Sequence, residues 1–476
     1  MMALSAIASI MTSLVMMLIV TLSLRGVVAS TNNKIVVRFL LYLFLLDIGL
    51  WYLLPSLLRL LSLGRFEEVI GILPEEISFV YYVELVSVCL FFMMVSFIAG
   101  RGRLSYPKNH WNLFDFLSRD HSWLSKNESN LLFFAGILCL LVYIDSSSFN
   151  FLSSVVPAII LESSGKFFLA FTVGFLFLSD ISKIKFYGLF SVLLGVVLVD
   201  TLKGSHGSIV WPMIVIYFLM KTKKPSKALN ITIFGSILLL LTFYKPLHDL
   251  RAYEYSLSEP LTPLAKLAFL VSPEDIGVDS SVNDGGLIGD IEWRFGENTR
   301  MSVGYLRMYE RGFSGGLTPV INTLYLLPRS ISPDKPVPAS VDGEITGMGM
   351  YLMHNEMRGT TNNMSGMAPS MHEYWLGGWT AVLISAIAVG SWYAFVIIGL
   401  LRLNGLALPC CIALHDTWWQ MPKLWSTEAI LTTTNTIPLI MFWFFLAWVC
   451  TKVVRIIAVS YLFLSKAIGY ARYFSR

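Results

Sequence analysis

Long apolar runs separated by short polar connections set the organisation of this chain. A helix needs about 20 apolar residues to cross about 30 Å of hydrocarbon, and the pattern offers eleven candidates, at 3–24, 36–56, 77–99, 130–146, 165–180, 184–201, 207–221, 228–245, 375–401, 403–415 and 433–452. The stretch LNGLALPCCIALH within the tenth is short and broken by Pro409, and 147–164 resembles a half-helix, so both are read as spanning or re-entrant. The first run lacks a basic leading region and a small-residue cleavage site, and is read as a retained span.

Lysine and arginine alternate in density from one connection to the next, as short positive loops stay in the cytoplasm. The connections at 25–38, 100–128, 181–185, 221–227, Arg402 and 452–476 hold 20 of them, against 4 in those at 57–75, 147–164, 202–206 and 416–432. This predicts an external N-terminus and a cytoplasmic C-terminus. One connection is far longer than the rest: 246–372 is rich in Gly, Pro, Asn and Asp and falls on the external side. Long loops of this kind are usually functional. The predicted fold is an all-α polytopic membrane protein with about 11 transmembrane helices, in three parts: an N-terminal bundle at 1–245, the long external segment at 246–372, and C-terminal spans with a cytoplasmic tail at 373–476.

Composition agrees with this. Hydrophobic residues make up 55% and charged residues 14% of 476, with a mean hydropathy of +0.66, whereas soluble chains carry about 25% charged residues. The formal charge of +4 comes without the basic stripe that phosphate neutralisation requires, which argues against nucleic acid as a partner. Cys89, Cys139, Cys410, Cys411 and Cys450 lie in or beside apolar runs and read as packing residues. There is no Walker loop, HExxH, GxSxG or CxxC motif, and no Asp-x-Asp pair on the external side. No metal or cofactor is therefore expected. The remaining route to a metal runs through Glu67, Glu68, Glu75 and Glu76 of the first external loop, which reads more simply as a solvated loop.

Candidate chemistry gathers on the external side. The segment 246–372 holds nine Lys or Arg against fifteen Asp or Glu, so its cations matter locally or not at all. Arg300, Arg307 and Arg311 share one face if the surrounding residues are helical. They serve either as anion binders or as a solvated face paired with Glu297 and Glu310. In LLPRSISPDKP, Arg329 and Lys335 are flanked by Pro328, Pro333, Pro336 and Pro338. The prolines restrict the backbone and lower the entropic cost of fixing two charges, a turn suited to a multiply charged oxyanion, although a structural turn capping a span would look the same. Lys203, His206, Lys245, His248 and Arg251 lie at the external ends of two other spans, where they bind anions or simply snorkel to headgroups. His372 and Glu373 open the ninth span, as a proton acceptor for a hydroxyl or as favourable helix-start chemistry. Asp47 and Glu84 lie inside spans, where ionisable groups are costly and are retained for function or as partners of an arginine.

The order of these motifs, KGSHG before a span, Arg251 after the next, then LLPRSISPDKP, then GMAPSMHEYWLGGWTAVLI leading into a span, resembles the bacterial oligosaccharide repeat-unit polymerases, the O-antigen polymerase (Wzy) family, over roughly residues 195–400. His206 stands where that family often has an arginine. The resemblance implies a GT-C-like helical architecture in the bacterial inner membrane, with a periplasmic N-terminus. It implies transfer of a growing glycan from undecaprenyl pyrophosphate to a sugar hydroxyl of a new lipid-linked repeat unit. Arg329, Lys335 and Arg251, with His206, Arg300 and Arg307, would bind the pyrophosphate, and His372 or Glu373 would act as the base. The implied partners are the undecaprenyl pyrophosphate-linked oligosaccharide, membrane lipid and a chain-length regulator protein, with Trp375 and Trp379 offering stacking faces to sugars. The nearest alternatives are an O-antigen ligase, which would hand the same glycan to lipid A-core, and a transporter or flippase of lipid-linked sugars.

Overall fold

The computed structural model describes residues 2–30, 34–62, 71–101, 286–312 and 369–402, with short helical or coil fragments at 250, 261, 265–266, 411, 449, 453, 456–457 and 459–461. Every regular element among the described residues is helical. In chain order these are α1 (Met2–Ser30), α2 (Lys34–Ile48), a π-helical turn (Gly49–Leu53), α3 (Leu54–Ser62), α4 (Pro74–Arg101), α5 (Gly286–Glu310) and α6 (Pro369–Arg402). Four stretches are long and apolar enough to cross a membrane: Ala3–Val28, Val36–Leu61, Pro74–Gly100 and Ser370–Leu401. They coincide with the predicted runs at 3–24, 36–56, 77–99 and 375–401. The other candidate spans lie outside the described residues.

The second span stays continuous through its π-helical turn. Pro55 has no N–H, and its ring would clash with the carbonyl four residues back, at Trp51. Widening that turn relieves the clash, and the Leu54 amide donates five residues back to the Gly49 carbonyl. The third span starts at Pro74, the favoured residue for the first helical position. The Leu73 amide donates to Glu76 Oε2 at 2.7 Å, closing the N-terminus from three residues on.

Helix α4 is the centre of the described bundle, with α1 and α6 packed along it. Helix α1 buries Ser5, Ser9 and Ser13 at four-residue intervals. Ser5 Oγ donates to the Pro74 carbonyl at 3.0 Å and lies 3.1 Å from Ser78 Oγ. Small residues allow such close approach between spans. Leu4, Ile7, Met11, Leu14, Leu18 and Leu22 of the same helix are exposed, an apolar stripe fitted to lipid. On the α6 side, a Cβ on Gly390 would stand 2.7 Å from the Phe91 carbonyl oxygen. That contact brings Phe44, Phe91, Phe92 and Tyr393 into one edge-to-face cluster, with Phe91 and Tyr393 centroids 5.1 Å apart.

Helix α6 is two helices joined at Gly377–Gly378. Gly378 has φ 62° and ψ −151°, in the left-handed half of the map that glycine tolerates. Neighbouring contacts fix the direction of each half. Beyond the break, Trp379 meets Phe79 and Tyr82, and Gly390 meets Phe91, so the span runs alongside α4 in the same sense. Before the break, Ser370 meets Glu84 and Tyr374 meets Phe79, so residues 369–376 run in the opposite sense. The chain therefore enters α6 from within the bundle, rises to the Gly-Gly turn, and descends again as the span. Ser370 lies beside Glu84, about ten residues and about 15 Å along α4 from Pro74.

Helix α5 belongs to the segment 246–372, yet it packs against the π-helical turn, α3, α4 and α6. Its residues Thr299, Arg300, Ser302 and Tyr305 are all buried. Part of the long segment 246–372 is thus built into the bundle.

Candidate functional site

Four helices meet where α5 and the start of α6 insert among the spans, and polar side chains line their junction. Glu84, fully buried in α4, accepts two hydrogen bonds from Ser370, from the amide to Oε1 at 2.8 Å and from Oγ to Oε2 at 3.0 Å. The carboxylate satisfies an amide at the α6 N-terminus that has no helical partner, and its charge is favourable against the dipole there. One turn later, Glu373 is also buried, and Ser385 Oγ donates to its Oε2 at 2.8 Å. Residues 12 apart meet only because the Gly377–Gly378 break folds the short helix back onto the span. The short helix is thus tied to spans through carboxylates at its start and at its middle.

His372 stands between these anchors, half-buried, with its ring 6.1 Å from that of Trp375. Trp375 in turn packs edge-on against Tyr305 of α5 at 5.3 Å. Above them lies a rim of aromatic rings. Tyr309 and Tyr374 are 4.9 Å apart, Tyr374 and Trp379 5.8 Å, Phe79 and Tyr374 5.3 Å, and Tyr82 and Trp379 5.6 Å. The Tyr309 hydroxyl sits where a Cβ on Gly378 would be, 2.6 Å from that position. Glycine at the turn therefore serves both the backbone angle and the approach of α5.

Beneath the rim, a second polar group links the spans. Ser56 Oγ lies 2.8 Å from the Tyr81 hydroxyl and 2.7 Å from the Tyr52 carbonyl, which also accepts from Tyr81 at 2.9 Å. Glu84 and Asp47 lie within electrostatic range of each other, and Tyr52 within range of both. Arg59 of α3 is buried as well. Serine, tyrosine, carboxylate and guanidinium groups at this depth are expensive unless they partner one another.

Arg300 and Arg307 lie seven residues apart in α5, two turns along the helix, and they do different things. Arg307 is held by Glu76 of α4: Nε donates to Oε1 at 2.5 Å and Nη2 to Oε2 at 2.8 Å, and Nη2 also reaches the Gly71 carbonyl at 2.6 Å. Glu76 is one of the four glutamates that the sequence leaves between a solvated loop and a metal route. Here it is the partner of an arginine 231 positions away. Arg300, buried, folds back over its own helix, where a Cβ on Gly296 would meet its Nη1 at 2.8 Å. Arg311 is exposed beyond the helix end. Arg329, Lys335, Arg251 and His206 lie outside the described residues, as do Lys203, Lys245, His248, Glu67 and Glu68.

Sequence reasoning passed over Ser370, Ser385, Tyr309 and Arg59. A serine in an otherwise apolar span and a Gly-Gly pair at a span's start are the signals that point to Ser385 and to the break. Nothing local marks Tyr309 or Ser370.

Compared with protein families, curated proteins and solved structures, the chain matches none.

Proposed function

We propose that the chain is a polymerase of lipid-linked oligosaccharide repeat units, acting on the periplasmic face of a bacterial inner membrane through a GT-C-like bundle of about 11 spans. The observation that carries this reading is the short helix of α6, which brings a histidine and a carboxylate to the junction of membrane spans and an external helix, under an aromatic rim. A substrate with a lipid tail and a sugar head needs such a junction: hydrocarbon on one side, polar and stacking groups on the other. Aromatic faces suit pyranose rings, although tyrosine and tryptophan at this depth also anchor to headgroups.

The chemistry asks little of the protein. The acceptor hydroxyl oxygen forms a bond to the anomeric carbon of the donor glycan, and the bond from that carbon to the undecaprenyl pyrophosphate oxygen breaks. The hydroxyl proton passes to the base, and the electron pair leaves with the pyrophosphate. Direct displacement inverts the anomeric centre. Cations that take up charge on the departing diphosphate lower the barrier, and the proposed set is Arg329, Lys335, Arg251 and His206. Arg300 adds a fixed positive charge inside the bundle. Arg307, engaged by Glu76, serves in this reading to hold α5. His372 or Glu373 accepts the proton.

The test is a reaction of purified protein with undecaprenyl pyrophosphate-linked repeat units. A ladder of longer glycans supports the proposal. Transfer only to lipid A-core makes the chain a ligase, and movement of lipid-linked sugar across vesicles without transfer makes it a flippase.

A further inference from the structure

The short helix 369–376 carries both residues offered as the base, and its two carboxylate ties treat them unequally. Glu373 is 2% exposed and accepts from Ser385, a residue about seven positions down the span from the Gly-Gly turn. His372, the next residue back, keeps partial exposure and lies against Trp375. Successive residues on a helix point about 100° apart, so the helix that turns Glu373 into the bundle turns His372 to another side.

We infer that Glu373 is a positioning residue: bound inward to Ser385, it fixes the short helix against the span and thereby holds His372 in place, while Glu84 fixes the start of the same helix through Ser370. The assignment of proton acceptor then falls on His372, a step that rests on the polymerase reading above. Three features make the anchor necessary. The Gly377–Gly378 link has no side chains to stiffen it, with φ values of −164° and 62°. The short helix, at about eight residues, is below the length that sustains itself in isolation. Its first amide at Ser370 and its carboxylate at Glu373 are both buried, so each needs a partner.

The anchor is tested without reference to catalysis by a double-mutant cycle on thermal unfolding of the purified full-length protein, using E373A, S385A and the double variant, with E373Q as the conservative replacement. The inference expects each single alanine to lower the midpoint, the double to fall little further than the worse single, and E373Q, whose amide oxygen still accepts from Ser385, to recover most of the loss. Additive losses, or E373A as stable as the parent, overturn it. The pH dependence of glycan extension gives the second reading. The inference expects E373Q, at whatever rate it retains, to keep the parent's rising limb, and H372N to lose it. A limb lost in E373Q and kept in H372N overturns it. A parent protein that extends no glycan removes the polymerase proposal, and the unfolding cycle then decides the anchor alone.

Discussion

Arg307 of α5 and Glu76 of α4 face each other in a two-pronged ion pair, Nε to Oε1 at 2.5 Å and Nη2 to Oε2 at 2.8 Å, with side chains only 20% and 13% exposed. The pair ties the helix of the segment 246–372 to the N-terminal end of a membrane span. Both carboxylate oxygens and two guanidinium nitrogens are used, which is the geometry that makes arginine irreplaceable by lysine at such sites.

Breaking this pair is expected to loosen α5 without unfolding the spans. R307A or E76A should lower stability by about 1–2 kcal/mol, above the range of fully exposed pairs because the geometry is bidentate and partly screened from water. R307K should recover little. The exchange R307E/E76R should recover part, and limited proteolysis between 312 and 369 reads the release directly. Proteolysis unchanged across the series would show that the pair does not hold α5.

Gly378 answers to two constraints at once, a φ of 62° and the Tyr309 hydroxyl 2.6 Å from the place of its absent Cβ. G378A should cost about 2 kcal/mol or more, the sum of left-handed strain and a displaced α5. Removing the hydroxyl in the double variant G378A/Y309F should return the part due to collision and leave the part due to strain. Equal stability of the two variants in thermal unfolding would assign the whole cost to the backbone.

A different close contact governs the spans themselves. At Gly390 the obstacle is the Phe91 carbonyl oxygen, 2.7 Å from a would-be Cβ, with the Phe91 Cα at 3.0 Å. Backbone cannot swing aside as a side chain can, so G390A should force α4 and α6 apart and disturb the Phe44, Phe91 and Tyr393 cluster, costing about 1–3 kcal/mol. G390L should cost more. A midpoint of unfolding unmoved by either substitution would contradict this packing.

E84A should be the most damaging of the single changes in α4. It leaves the Ser370 amide and hydroxyl buried without their acceptor, at about 1–3 kcal/mol for each stranded group, and opens a cavity as well. Cysteine placed at 370 should then become reactive to a maleimide that the parent background excludes. Equal labelling in the two backgrounds would show that Glu84 does not hold the start of α6.

How far the sequence carries can be judged from particular residues. The spans at 3–24, 36–56, 77–99 and 375–401 were legible because apolar length is a local property. Their ends were not, for local reasons as well. Pro74, Glu75 and Glu76 begin the third span but read as loop by hydropathy, and Arg59 hides the continuation of the second past Ser56. The run 375–401 concealed a Gly-Gly break, because glycine scarcely alters hydropathy while φ depends on it.

The candidate site was legible only in part. The residues around Arg300 and Arg307 form one helix, which puts their spacing of seven on two successive turns, while Arg311 falls just beyond the helix end. What Arg307 meets depends on a residue 231 positions away, and no local pattern encodes that. The charge of α5 left two readings open, anion binders or a solvated face. Among the described side chains, Arg300 is buried and Arg307 pairs with Glu76 of a span, while Glu310 is exposed, and a single sequence does not reveal such a pairing. His372 and Glu373 open the ninth predicted span, and their helix starts beside Glu84, about 15 Å along α4 from Pro74.

The proposal stands most directly on a glycan ladder. Purified parent protein given undecaprenyl pyrophosphate-linked repeat units should build a series of products one repeat apart, and R329A, present at the same level and with the same thermal midpoint, should build none. A ladder from R329A equal to the parent's would contradict the proposed grip on the diphosphate, and a parent that leaves the repeat units unextended would contradict the polymerase reading itself.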